Sequence, residues 1–122
     1  MTDPYPKEKQ LGRAFRKPKR ARLTDKQFAV MAAQKMGPCR VCNARTSMMH
    51  SHHVVFRGHG GGDVPDNIVP VCPDCHNALH NRAPAIGRLL WSKLSDAEYA
   101  YAIMQGGEDY PERAYGISYE RD

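Results

Sequence analysis

Apolar positions change their period several times along the chain, and each change marks an element. Thr24-Asp25-Lys26-Gln27 has the form of a capping box, and Phe28, Met31, Ala32 and Met36 follow at helical spacing until Gly37-Pro38. This predicts a helix over about 25 to 36 whose apolar stripe packs on the core. His52 to Phe56 is β-branched and apolar enough for a strand, Gly58 to Asn67 reads as a glycine-rich loop, and Ile68-Val69-Pro70-Val71 makes a second short strand. The two form a hairpin. Pro73 suits the first turn of a helix capped by Cys72 and running to about Arg82, before Pro84. Ile86, Leu89, Leu90 and Leu94 then suggest a short helix. Ser95-Asp96-Ala97-Glu98 opens another, carrying Tyr99, Ala102 and Ile103 and ended by Gly106-Gly107. Glu108 to Asp122 is polar and tyrosine-rich, with no period that assigns it structure or role.

At 122 residues the chain suits one domain with a modest core, because it offers only three Phe and one Trp beside ten Gly and nine Pro. A metal staple would help so small a core. The apolar runs are too short to span a membrane, and Met1-Thr2-Asp3-Pro4 lacks a secretory pattern, so an intracellular, cytoplasmic protein is expected. The net charge of +5 is uneven. Lys7, Lys9, Arg13, Arg16, Lys17, Lys19, Arg20 and Arg22 face only Glu8, so this stretch carries +7 and the remainder −2. With Leu11 and Phe15 as its large apolar residues, it reads as an arm: a solvated or localisation-type tail, or one that neutralises nucleic-acid phosphates.

All four Cys and all six His lie between Cys39 and Arg82. Cys39-x-x-Cys42 and Cys72-x-x-Cys75 have the paired spacing of a four-thiolate zinc site, which leaves no open position and is therefore structural. Disulfide or redox dithiols are the competing reading, disfavoured in a reducing compartment. His76 and His80 stand four apart on one face of the predicted helix, and His52-His53 lies on the neighbouring strand. One isolated histidine is more often a packed or surface residue, but this set points to a second metal site.

The run Cys39-x-x-Cys42, His52-His53-Val54-Val55, Gly60-Gly61-Gly62, Asp66-Asn67-Ile68-Val69-Pro70, Cys72-x-x-Cys75-His76 and His80 closely resembles the HNH endonucleases of the His-Me finger superfamily. Its cysteine-bearing members include phage nucleases and restriction enzymes against modified DNA. The resemblance implies an α+β fold: a small zinc-stabilised ββα-metal, treble-clef-like domain with flanking helices and a basic N-terminal arm. It divides the chain into an arm over 1–23, a nuclease domain over 24–105 with its core motif at 39–82, and a tail over 106–122.

Carried over to these positions, the resemblance makes His53 the general base and Asn67 the residue that braces the loop and holds the base's ring. His52, His76 and His80 would bind a catalytic divalent ion, with His76 also a catalytic residue, and Cys39, Cys42, Cys72 and Cys75 one structural zinc. Many members have Asp or Glu where His52 stands, which leaves the catalytic ion open among Mg²⁺, Mn²⁺, Zn²⁺, Ni²⁺ and Co²⁺. Adjacent strand residues point to opposite faces, so His52 and His53 serve one site only at a bulge, a twist or a strand end. His50 and His59 match no family role and read as loop or groove residues, with phosphate contact or ligand substitution as alternatives. The implied activity is hydrolysis of phosphodiester bonds in double-stranded DNA, in a bacterial cell and in a phage-encoded protein with packaging proteins as further partners. Oligomeric state stays open between monomer and homodimer. A zinc-dependent DNA-binding accessory protein with a degenerate nuclease site is the competing function, and a Cys-x-x-Cys oxidoreductase a third.

Overall fold

The computed structural model describes residues 22–121. Helix α1 (Asp25–Gln34) opens on a reciprocal capping box, with Gln27 N donating to Thr24 Oγ1 and Thr24 N to Gln27 Oε1. Strands β1 (His50–His53) and β2 (Ile68–Val71) pair antiparallel, with His52 opposite Val69 and His53 opposite Ile68. Helix α2 (Pro73–His80) starts at Pro73 with Cys72 as its cap. Helices α3 (Pro84–Ser92), α4 (Asp96–Gly106) and α5 (Tyr110–Tyr115) complete the order. This is a small α+β fold, and the two strands with α2 form the ββα unit expected of its central segment.

β1 is shifted from the expected 52–56: Val54 N still donates to Asn67 O (2.9 Å), but from Val55 onward side-chain bonds replace strand pairing. Asn67, fully buried, accepts from Val55 N through Oδ1 (2.8 Å) and donates through Nδ2 to Val55 O and Gly62 O (both 3.0 Å). Val54 and Val55 are both fully buried in the core. Gly61 is required at this crossing, since a Cβ there would sit 1.7 Å from Val55 O.

The apolar stripe of α1 is only partly core, which corrects the expectation. Met31 is buried, but Phe28 is half-buried over a groove and Met36 is 49% exposed. Too little of the fold lies beneath α1 to cover every turn. The segment set apart as a polar tail also packs. Tyr110, Tyr115 and Ile117 are buried with Leu79, Leu90 and Trp91, and the Tyr115 ring lies 5.5 Å from that of Trp91. Its charges, its proline and its short helix hid it: α5 is six residues long and shows no repeat of its own period. Among the described residues no helix is long and apolar enough to cross a membrane.

Candidate active site

The four cysteines come from two local turns. Cys39 Sγ accepts from Cys42 N at 3.5 Å, and Cys72 Sγ from Cys75 N at 3.4 Å, so each pair is folded back on itself by the backbone. The four sulfurs lie within 4.8 Å of one another, with Cys42 and Cys72 3.8 Å apart, and no disulfide joins them. A tetrahedron of Zn–S bonds of ~2.3 Å has S···S edges of ~3.8 Å, so these residues fit a zinc.

Alternation along β1 separates the adjacent histidines. His50 and His52 turn toward α2, where one ring nitrogen each from His52, His76 and His80 fall within 4.8 Å of one another. His76 Nε2 and His80 Nε2 are 3.1 Å apart, while His76 Nδ1 lies 2.7 Å from His50 Nδ1. His52 is 1% exposed, and its Nε2 meets Tyr115 Oη at 2.8 Å. Its Nδ1 is buried without a hydrogen-bond partner among the described residues. Such an orphan costs ~1–3 kcal/mol, and a cation at that lone pair would remove the cost, so the trio fits a divalent ion. Burial, then the neighbouring His76 and His80, pushes the His52 imidazole well below its ordinary range. Burial, then His80 and His50, lowers that of His76 to about 4. Both rings are thus neutral near pH 7, the form that ligates a metal.

His53 ends β1 and points across the sheet from His52. Its Nε2 lies 2.9 Å from Oδ1 of Asp63, a carboxylate only 2% exposed. Leu23 N donates to Asp63 Oδ2 (3.1 Å), and Arg57 Nη2 donates to Oδ1 (3.1 Å) beside His53. Burial would raise the Asp63 carboxyl, but the contacts from His53, Leu23 and Arg57 outweigh it and hold the acid ionised. An ionised carboxylate only accepts, so Nε2–H donates to it and Nδ1 keeps the free lone pair. Arg57 Nε, 3.2 Å from the same nitrogen, competes for it, but the contact to the buried carboxylate is charge-assisted and stronger. Burial lowers the His53 imidazole and Asp63 restores it only in part, leaving it unprotonated at neutral pH. Phe28 stacks on the ring at 5.7 Å.

His53, His76 and His80 share the wall of one groove of about 380 Å³, completed by Phe28, Ser51, Phe56 and Arg57. His52 itself does not line that groove. Asn67 touches the loop rather than the ring, and by fixing Gly62 O it sets the backbone from which Asp63 reaches His53. His59 bonds Tyr110 Oη at 2.8 Å. Neither Asp63 nor Tyr115 is marked by a sequence signal: one is a lone acid in a glycine loop, the other sits in a segment without period. Lys7 to Arg20 of the basic arm lie outside the described residues, and Arg22 stands exposed at their edge.

With this geometry in view, residues 39–82 match the HNH endonuclease family. A segment of 55 residues is 36% identical to the type IV methyl-directed restriction enzyme EcoKMcrA of Escherichia coli (strain K12), covering 38% of this chain and 20% of that protein. The chain therefore matches only about a fifth of the length of that relative. No solved structure matches. The cysteine and histidine clusters both fall inside the matched residues, whereas α3, α4 and α5 lie beyond them.

Proposed function

We propose that this protein is a metal-dependent endonuclease that hydrolyses phosphodiester bonds of double-stranded DNA. The observation that carries the reading is one groove where an imidazole oriented by a buried carboxylate stands beside two of three converging imidazoles. His53 Nδ1 takes the proton of the attacking water, while Asp63 holds Nε2–H and stabilises the imidazolium that forms; such bases contribute roughly 10²- to 10⁴-fold. His52, His76 and His80 hold a divalent ion, which when bound supplies Lewis-acid stabilisation of phosphate charge and of the leaving oxygen. Asn67 keeps the loop in place, and Cys39, Cys42, Cys72 and Cys75 hold a structural zinc. Imidazole ligands suit Zn²⁺, Ni²⁺ or Co²⁺ as well as Mn²⁺ or Mg²⁺.

Lys7 to Arg22 is the arm we assign to binding phosphates without base reading. Deleting residues 1–22 is expected to flatten the slope of log affinity against log salt by ~0.9 for each phosphate that the arm neutralises. An unchanged slope would remove the arm from DNA binding. A bacterial cytoplasmic setting, phage origin and packaging partners rest on the family resemblance alone.

The deciding experiment incubates the purified protein with supercoiled plasmid across Mg²⁺, Mn²⁺, Zn²⁺, Ni²⁺ and Co²⁺, with and without chelator. Ion-dependent nicked or linear product, abolished by chelation and in His53→Ala, supports the nuclease. Plasmid bound but uncut under every ion would leave the zinc-dependent DNA-binding accessory protein.

A further inference from the structure

Tyr115 lies 33 residues beyond the end of the matched domain, in the segment whose sequence shows no period, yet its hydroxyl reaches His52 in the centre of the ion cluster. A tyrosine hydroxyl has one proton to give. Tyr115 Oη stands 2.6 Å from Val54 O and 2.8 Å from His52 Nε2. A carbonyl oxygen has no proton, so the 2.6 Å contact is made only if the hydroxyl donates to Val54 O. The lone pairs of Oη then accept, and His52 Nε2 must carry the proton.

We propose that Tyr115 is a positioning residue of the divalent-ion site, fixing His52 as the Nε2–H tautomer so that its Nδ1 lone pair is the one offered to the ion. This rests on reading His52, His76 and His80 as that site. Three observations meet here: the hydroxyl has its acceptor in Val54 O, the ring's Nε2 is within bonding reach of the hydroxyl, and the remaining Nδ1 is the buried atom without a partner. The Nδ1–H tautomer would instead bury an unpaired donor and set a lone pair against a hydroxyl already committed to Val54. A ligating histidine is commonly held by a bond from its other nitrogen, and losing that bond typically weakens metal affinity roughly 10- to 100-fold. α5 and its packing on Trp91 thereby become part of the ion site, although neither supplies a ligand.

The test uses the full chain carrying one equivalent of zinc, titrated with further Zn²⁺ by calorimetry and followed by ¹H–¹⁵N spectra of the histidine rings. The parent should take up a second equivalent. Before that addition the His52 ring should show Nε2 protonated and Nδ1 bare, with Nδ1 shifting as the ion binds. Tyr115→Phe should bind the second equivalent roughly 10- to 100-fold more weakly. Tyr110→Phe removes a neighbouring buried hydroxyl, one bonded to Phe56 N and His59, and should leave that affinity unchanged. Equal affinity in Tyr115→Phe and parent, or a parent His52 protonated at Nδ1, overturns the role of Tyr115 while the ion site stands. A parent that never takes a second equivalent sinks the ion site and this inference with it. The ring spectra of the parent decide the tautomer even if Tyr115→Phe does not fold.

Discussion

The cysteine and histidine clusters share α2 and differ in what holds them. Each cysteine pair is shaped by its own turn, with a backbone N–H folding back onto the first sulfur, so two short sequence pieces carry nearly the whole geometry. The histidine cluster has no such autonomy. His52 leans on Tyr115, His76 on His50, and the ring of His53 on Asp63. A closed ligand set can be local, whereas a working set needs each ring turned to one tautomer by a neighbour. Breaking the first should therefore cost the fold, and breaking the second should cost only chemistry.

The largest effect is expected from Cys72→Ala. Structural zinc in small domains is worth ~10–16 kcal/mol of apparent binding free energy, against ~5–15 kcal/mol for a typical domain's stability. The variant should lose its metal by elemental analysis and its cooperative thermal transition by circular dichroism. A cooperative melt without metal would show that the sulfur cluster is dispensable.

His53→Ala is the converse case. Cleavage should fall by roughly 10²-fold or more, the range for a removed general base, with zinc content and plasmid gel shift unchanged. His76→Ala should also abolish cutting, but with partial recovery in excess ion, since its loss weakens binding rather than proton transfer. Parental cutting by His53→Ala would overturn the assignment of the base.

The same contrast explains what could be read from the sequence. Spacing reveals the cysteine pairs, the His76/His80 face, both capping boxes and the hairpin, because each depends on residues a few positions apart. Partners across the fold are invisible to it. Asp63 approaches His53 only because Gly61 lets the loop cross Val55, and Tyr115 is 63 residues from His52 in the chain. Phe28 sits at a helical apolar position indistinguishable from that of Met31, and only the placement of α1 decides which is core and which covers His53.

Asp63→Asn sharpens the comparison within the histidine half. The amide keeps the shape but removes the charge that holds Nε2–H and stabilises the imidazolium, so a fall of roughly 10- to 10²-fold in cleavage is expected, smaller than for His53→Ala. Its pH dependence is the more specific sign. As the proposed base His53 works unprotonated, and burial already sets its pKa below the ordinary value, so the rate should drop only as pH falls through that lowered value. Asp63 pulls this pKa upward. Removing it should move the acid limb of the pH–rate profile to lower pH, and a limb moving upward would show that Asp63 does not act on the base.

An effect on stability alone lies beside the cysteines and involves no metal. Glu98 is 1% exposed and joins three elements: its carboxylate accepts from Arg40 Nη1 and Nη2 (2.5 and 3.2 Å), Lys35 Nζ (2.6 Å) and Ser95 N (2.7 Å). Arg40 lies between Cys39 and Cys42, so this fork ties the first cysteine turn to α4. Burial pushes the carboxyl up, but Arg40, Lys35 and Ser95 outweigh it and bring it from 4.5 to about 2. An acid whose pKa is lower in the folded chain than in the unfolded one stabilises the fold wherever it is ionised. That contribution is fully present above about pH 5 and fades as pH falls from 4.5 toward 2. Its size is ~3 kcal/mol at pH 7 on the scale of about 1.36 kcal/mol per unit. Glu98→Gln keeps an acceptor for Ser95 N while removing the charge, so it should cost ~2–3 kcal/mol in urea unfolding at pH 7. The gap to the parent should close as both are titrated below pH 4.5, and zinc content and cleavage at pH 7 should be unchanged. A gap independent of pH would mean that shape, not charge, links Arg40 and Lys35 to α4.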